Sequence, residues 1–337
     1  MGIVNYGAFT TQAAQLIQNA INQRGFGVTG NVYYCDPVNG LDTNNGQLPA
    51  SGGVAGQGPV ATLAAGYALL RSGFNDALVL IGNGQSTGSA RITTFTWSKN
   101  AAHLFGICAP SAVSQRARIA FPTTSGLTVT ANFFTVSGNG CLFSNLSWFQ
   151  GAGAGQTGIA AAICMTVSGQ RNAFINCDFE GMGDTTASAD AGSRNLLLSG
   201  GENYFLHCNV GLDTIQRTNA NASVEITTAA PRTLFEACTF LFYSSDGLQY
   251  ALLGNAAGAM DRWVFFKGCN FINVINSGST AIAQLFHLVA AVGGIIAVDA
   301  DSGSYGVTAT GDATTKAQTY VMGIASTGSG LIGHVAV

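Results

Sequence analysis

The stretch NAFINCDFEG, residues 172–181, sets the thiol of Cys177 beside two carboxylates, Asp178 and Glu180. Paired carboxylates are the equipment of glycoside hydrolysis, held ~5–5.5 Å apart in retaining enzymes and ~6.5–9.5 Å apart in inverting ones. Asp178 and Glu180 are two residues apart, so on a strand they share a face at about the inverting separation. This predicts a solvent-side pair, with Asp184 and Asp213 in loops able to join a groove. The thiol is a second candidate nucleophile. Its position between Phe174 and Phe179 is instead that of an inert, buried cysteine.

What positions these residues is a repeat. Cys177, Cys208, Cys238 and Cys269 follow one another at intervals of 31, 30 and 31 residues. An aromatic lies three before each: Phe174, Phe205, Phe235 and Phe266. Phe179, Val210, Phe240 or Phe271 lies two after. The frame extends back to CLFSNLSWF, with Phe143, Leu146 in the cysteine place, and Trp148. Weaker copies are HLFGICAP, through Phe105 and Cys108, and IIAVDA, through Ile295 and Val298. Around each cysteine apolar residues alternate with polar ones, as along a strand. A unit of ~31 residues made of short strands between Gly, Asn and Ser cannot bury its own face, whereas stacked units can. The period is too short for propellers, lacks the leucine-rich frame, and carries no 3.6-residue pattern over 130–300. The fold expected is all-β: a right-handed parallel β-helix whose core ladder is the four cysteines and four phenylalanines.

Stacking also bears on the chemistry. The column through Asp178 becomes Ser147, Asp178, Asn209, Thr239, Asn270, and that through Glu180 becomes Phe149, Glu180, Gly211, Leu241, Ile272. Neither brings a further carboxylate, an Arg or a His into register, so catalysis by the pair is not expected. His207 precedes Cys208 and should face outward, and most of the histidines are expected at the surface or at an interface. The eight cysteines form no CxxC pair and no His lies at ligand spacing, which argues against zinc. Asp36, Asn39, Asp42, Asn44 and Asn45 resemble an oxygen-rich calcium loop, but Asn and Asp equally build turns, and a terminal Glu is missing. No cofactor or metal is expected.

Charged residues make up only 9% of the chain against about 25% in ordinary soluble proteins, and the 45 glycines are many. A surface of small uncharged groups suits packing against other subunits. A net charge of −3 with scattered Lys and Arg leaves no footprint for nucleic acid. The opening MGIVNYGAFTTQ has no basic and apolar regions of a signal peptide, so the sequons at Asn145 and Asn221 count as chance matches. The apolar run 281–298 is broken at Gly293-Gly294 and is expected to be two buried strands rather than a membrane span.

Residues 32–84 carry a more specific signal. A strand and turn, VYYCDPVNGLD, lead to PVATL and a helix from about Thr62 to Arg71, with Thr62 as N-cap and Leu63, Tyr67 and Leu70 on its apolar face. The buried strand and turn DALVLIGNG follow. This order resembles the opening of pectate-lyase-like β-helix proteins, especially those of bacteriophage virions: tailspikes, head fibres and capsid decoration proteins. The resemblance implies that the helix caps the open N-terminal end and that the assembly is a homo-trimer. The family's enzymes would show N-T-D, D-D and G-H-G motifs, or calcium carboxylates with an arginine base on adjacent coils, and neither set is visible.

The chain therefore divides into a docking or oligomerising segment (1–30), the entry and capping helix (31–100), the β-helix (101–300) and a β-rich closing tail (301–337). Within the first, Ala13, Leu16, Ile17, Ala20 and Ile21 form one helical stripe, which either meets another subunit or packs on its own β-helix. Leu16, Ile17, Ala20 and Ile21, with Val335 and Val337 at the other terminus, are the interface candidates. The function expected is a non-enzymatic capsid decoration (cement) protein or head fibre on the virion exterior, contacting the major capsid protein or other virion proteins, with no membrane partner. The alternatives are a tailspike-type glycan depolymerase and a passive receptor-binding tail module.

Overall fold

The computed structural model describes residues 30–109, 117–227, 230, 232–274, 278–290, 293–311, 315 and 319–321. The interface candidates Leu16, Ile17, Ala20, Ile21, Val335 and Val337 lie outside these. The described chain winds as a parallel β-solenoid with ~31-residue coils. Each full coil gives one strand to each of three sheets, and every strand pair in them is parallel. The first sheet has ten strands, from Val32–Cys35 to Thr319–Val321. The second has eight, from Ala90–Arg91 to Gly303–Tyr305, and the third seven, from Phe95–Trp97 to Phe286–Leu288.

The predicted ladder is the core. Phe143, Phe174, Phe205, Phe235 and Phe266 pair in register and stack ring on ring, with centroids 4.6–5.2 Å apart. A second column runs through Trp148 and Phe179, parallel at 5.5 Å, and resumes at Phe240 and Phe271, 4.9 Å apart. Such contacts contribute about 0.5–1.5 kcal/mol each beyond area burial. The four ladder cysteines are fully buried between the columns. Each thiol points to the carbonyl of the phenylalanine one coil back, as Cys208 Sγ does to Phe174 O at 3.3 Å.

One local expectation changes. The frame around each cysteine is two strands meeting at a corner, as Ala173–Ile175 meets Asp178–Glu180. The corner residue is left-handed in five successive coils: Asn145, Asn176, His207, Ala237 and Gly268 have φ of 51–59°. Asn176 Nδ2 donates to Asn145 Oδ1 (2.9 Å), and Asn145 Nδ2 donates to the carbonyls of Gly106 and Cys108. Asn tolerates this conformation and Gly prefers it, whereas Ala pays a steric cost. His207 is exposed as expected.

The outer copies of the frame shift phase. Leu104, not Phe105, pairs with Phe143, so Phe105 points outward. At the far end Val298, not Ile295, pairs with Phe266. A one-residue slip reverses a side chain's face, and only the register reveals it. The run 281–298 does hold two strands, Phe286–Leu288 and Ile295–Val298, and no described helix is long and apolar enough to cross a membrane.

The helix Leu63–Leu69 begins at Thr62, whose Oγ1 accepts from Ala65 N (3.1 Å). Gly66 lies on Leu78 of the inner row, where an added Cβ would meet the Leu78 side chain at 2.6 Å. The helix thus packs on the first coils, with Leu63 and Leu70 buried in the main core.

Two measurements check this account. Phe205→Ala is expected to lower stability by about 3–5 kcal/mol in denaturant titration. Ala237→Gly is expected to raise it by about 0.5–1 kcal/mol by relieving the corner.

Candidate functional site

Asp178 and Glu180 lie on the outward side of the second sheet, yet each is only 2% exposed. Glu180 is ion-paired with Arg118, Oε2 to Nη2 at 3.0 Å, and the guanidinium lies 5.1 Å over the Phe149 ring. Asp178 Oδ1 accepts from Asn209 Nδ2 at 2.9 Å. Two expectations are corrected here. The pair is covered rather than open to a polysaccharide, and an arginine does enter the register. Arg118 pairs with Ser147, which pairs with Asp178. It escapes the sequence pattern because the coil between Leu104 and Phe143 is enlarged and breaks the period.

The other candidates are also engaged. Asp184 caps the short helix Thr185–Ser188, accepting from Thr186 N and Ala187 N. Asp213 is half-buried in a loop. Asp36 accepts from Val38 N, Asn39 N and Asn39 Nδ2. Asp42 accepts from Ala61 N, Thr62 N and Thr62 Oγ1, tying the turn to the capping helix. These oxygens build the turn, and no group of three or more His, Cys, Asp or Glu among the described residues is placed to hold a metal.

Three further clusters were not visible in the sequence pattern. On the third sheet Arg194 Nε meets Glu225 Oε2 at 2.6 Å, Asn255 Nδ2 donates to Glu225 Oε1, and His287 stacks on Tyr250 at 4.7 Å. Arg217 is enclosed, donating from Nε to Asn221 Oδ1 (2.7 Å) and from Nη1 to Ser223 Oγ (3.0 Å), with its guanidinium over Phe242. Burial pulls its pKa down to about 9. His103 is buried on the outer side of the first sheet. Its Nδ1 accepts from Leu142 N at 3.0 Å, which leaves Nε2 as the donor to Asn75 Oδ1 at 3.3 Å. Burial pulls its pKa down to about 4.

The thiols are equally quiet. Seven of the eight cysteines are buried, Cys108 is half-buried, and all are unpaired. Burial raises the pKa of Cys164, Cys208 and Cys238, and that of Cys35 to about 12. A buried thiol kept protonated is not a nucleophile.

No family model and no curated protein matches this chain. Solved structures do. A pectin methylesterase in complex with a hexasaccharide superposes with a TM-score of 0.50 at 13% identity, over 90% of this chain and 92% of that one. Pectin methylesterase PemA from Erwinia chrysanthemi gives 0.49 at 13% identity, over 89% and 92%. Pectate lyase Pel9A gives 0.47 at 14% identity, over 88% and 81%. The fold is a parallel β-helix like that of the pectin methylesterase matched at a TM-score of 0.50. At such identity the likeness extends to the fold alone.

Glu180→Gln should lower stability by about 3–5 kcal/mol, since it removes the carboxylate charge that faces Arg118 in a covered site, and Arg118→Met with Glu180→Leu should cost less. His103 gives a pH signature. Its folded pKa of about 4 lies below the ordinary 6.5, so between those values the unfolded chain binds the extra proton. Stability is full above pH ~6.5 and falls by about 3 kcal/mol as the pH drops through 4. Melting temperature against pH should show this slope, and His103→Gln should flatten it.

Proposed function

We propose that this protein is a non-enzymatic structural component of a bacteriophage virion, a capsid decoration (cement) protein or head fibre acting through surface contacts. The observation that carries this reading is the engagement of the candidate carboxylates. Asp178 and Glu180 are covered and tied to Asn209 and Arg118, and Glu225 is tied to Arg194 and Asn255. A glycosidase needs a carboxylate free to trade a proton with the sugar oxygen and another facing the anomeric carbon. The sparse charge and the DPVNGLD–PVATL opening, which resembles that of phage β-helix proteins, support the same reading. The protein would work as a homo-trimer on the particle exterior, bridging major capsid subunits and stabilising the shell.

Two assays separate this from the tailspike-type depolymerase. Purified protein mixed with capsular polysaccharide of the host should release no reducing ends. Release that disappears in a folded Asp178→Asn/Glu180→Gln variant would sink the structural reading. Added to expanded empty capsids, the protein should bind and raise their melting temperature.

A further inference from the structure

Arg217 is a cation taken out of water without a carboxylate beside it. It stands at the corner that leads into the strand Ala222–Ile226 and is 2% exposed. None of the ion pairs among the described residues includes it. Asp246 acts on it only through space, and its Oδ1 accepts from Leu248 N and Gln249 Nε2 instead. Glu225 is engaged with Arg194 and Asn255. The pKa of Arg217, drawn down to about 9 by burial, still leaves the guanidinium charged at neutral pH. An enclosed charge is costly unless an opposite charge or hydrogen bonds compensate it.

Its partners restrict where the remaining donor points. Nε donates to Asn221 Oδ1 and Nη1 to Ser223 Oγ, whereas Nη2 has no hydrogen-bond partner. One coil back, Asn195 stands beside Ser223, because the flanking pairs are Arg194 with Ala222 and Leu196 with Val224. Asn195 is 0% exposed, and its Oδ1 accepts from Gly181 N at 2.9 Å. That bond sets the orientation of the amide and makes the other atom the Nδ2 donor. Asn195 Nδ2 has no partner either. Two enclosed N–H groups therefore lie on either side of Ser223, whose hydroxyl accepts from Arg217 and keeps a hydrogen to donate. The side chains are small here. Val210 replaces the ring that Phe179 and Phe240 carry in the coils before and after, and Asn195 Nδ2 is 3.5 Å from where a Cβ on Gly211 would lie.

We propose that Arg217 Nη2, Asn195 Nδ2 and the Ser223 hydroxyl hold a small monovalent anion, of halide size, inside the solenoid. The unpartnered groups are donors only. An anion accepts from all of them and balances the guanidinium, whereas a water molecule balances no charge. Asn195 and Ser223 are 0% exposed, so the anion is enclosed as the coils close on one another and larger oxyanions are kept out.

The test uses the full chain, unfolded in urea and refolded in sodium chloride or, at equal ionic strength, in sodium gluconate, whose anion is too large for the enclosure. The melting temperature is expected to rise with the logarithm of chloride concentration. Asn195→Asp keeps the acceptor for Gly181 N and sets a carboxylate oxygen where Nδ2 stood. It is expected to lose the chloride dependence and, in gluconate, to melt above the unaltered chain. A melting temperature of the unaltered chain indifferent to chloride, or an Asn195→Asp chain with undiminished dependence, overturns the proposal. Diffraction at long wavelength from crystals of the unaltered protein prepared in chloride gives a readout that needs neither refolding nor a variant. An anomalous peak in contact with Arg217 Nη2 and Asn195 Nδ2 is expected, since chloride scatters anomalously there and water does not. Density without that signal, or no density between the two groups, overturns the proposal. Should refolding or the variant fail, this map decides.

Discussion

The structure depends on equivalent side chains meeting their own copies one coil away. The step between coils is set by the strand spacing of ~4.8 Å, close to the stacking distance of aromatic rings. Phe174, Phe205 and Phe235 therefore stack face to face without distorting the backbone. That match locks the register, because a slip of one residue would turn the whole column outward. The left-handed corner at Asn176, His207 and Ala237 keeps the first and second sheets in phase by turning the chain within one residue.

Outside the core, charge is handled by enclosure. Arg118 with Glu180 and Arg194 with Glu225 are covered pairs, while Arg217 relies on neutral partners and the face of Phe242. Covered pairs add little net stability, but each is costly to break from one side. They restrict which arrangements of coils are tolerated, and they leave these carboxylates engaged with protein partners. Open ion pairs occur elsewhere, as where Glu202 joins Arg171 and Arg232 on neighbouring coils. There the exposed geometry contributes little.

The central coils were legible in the sequence because period and polarity agree there. Phe174, Cys177 and Phe179 find their copies at 30 or 31 residues, and the Thr62 cap follows from a local rule. The pattern failed where the coil length changes. Arg118 and Phe105 both lie within the enlarged coil, so neither stood in line with its column. His103 and Arg217 were hidden for another reason. His103 is held by Asn75 and Leu142, 28 and 39 residues away, and the guanidinium of Arg217 lies over Phe242 of another coil. A single strand's alternation carries no trace of these. The left-handed corner was masked by its variety, since Asn, His, Ala and Gly share a backbone conformation rather than a side-chain type.

The near-identity of successive coils has a consequence for how such a molecule changes over time. From Leu142 to Phe266 each turn touches little beyond the turn before and the turn after. Duplicating or losing one turn within that span would preserve both termini and both ends of the fold. The solenoid behaves as a graduated rod whose length is adjustable in increments of ~4.8 Å, at the cost of one ring pair per increment. Reach along the axis can thus be tuned to a partner's spacing without redesigning either end.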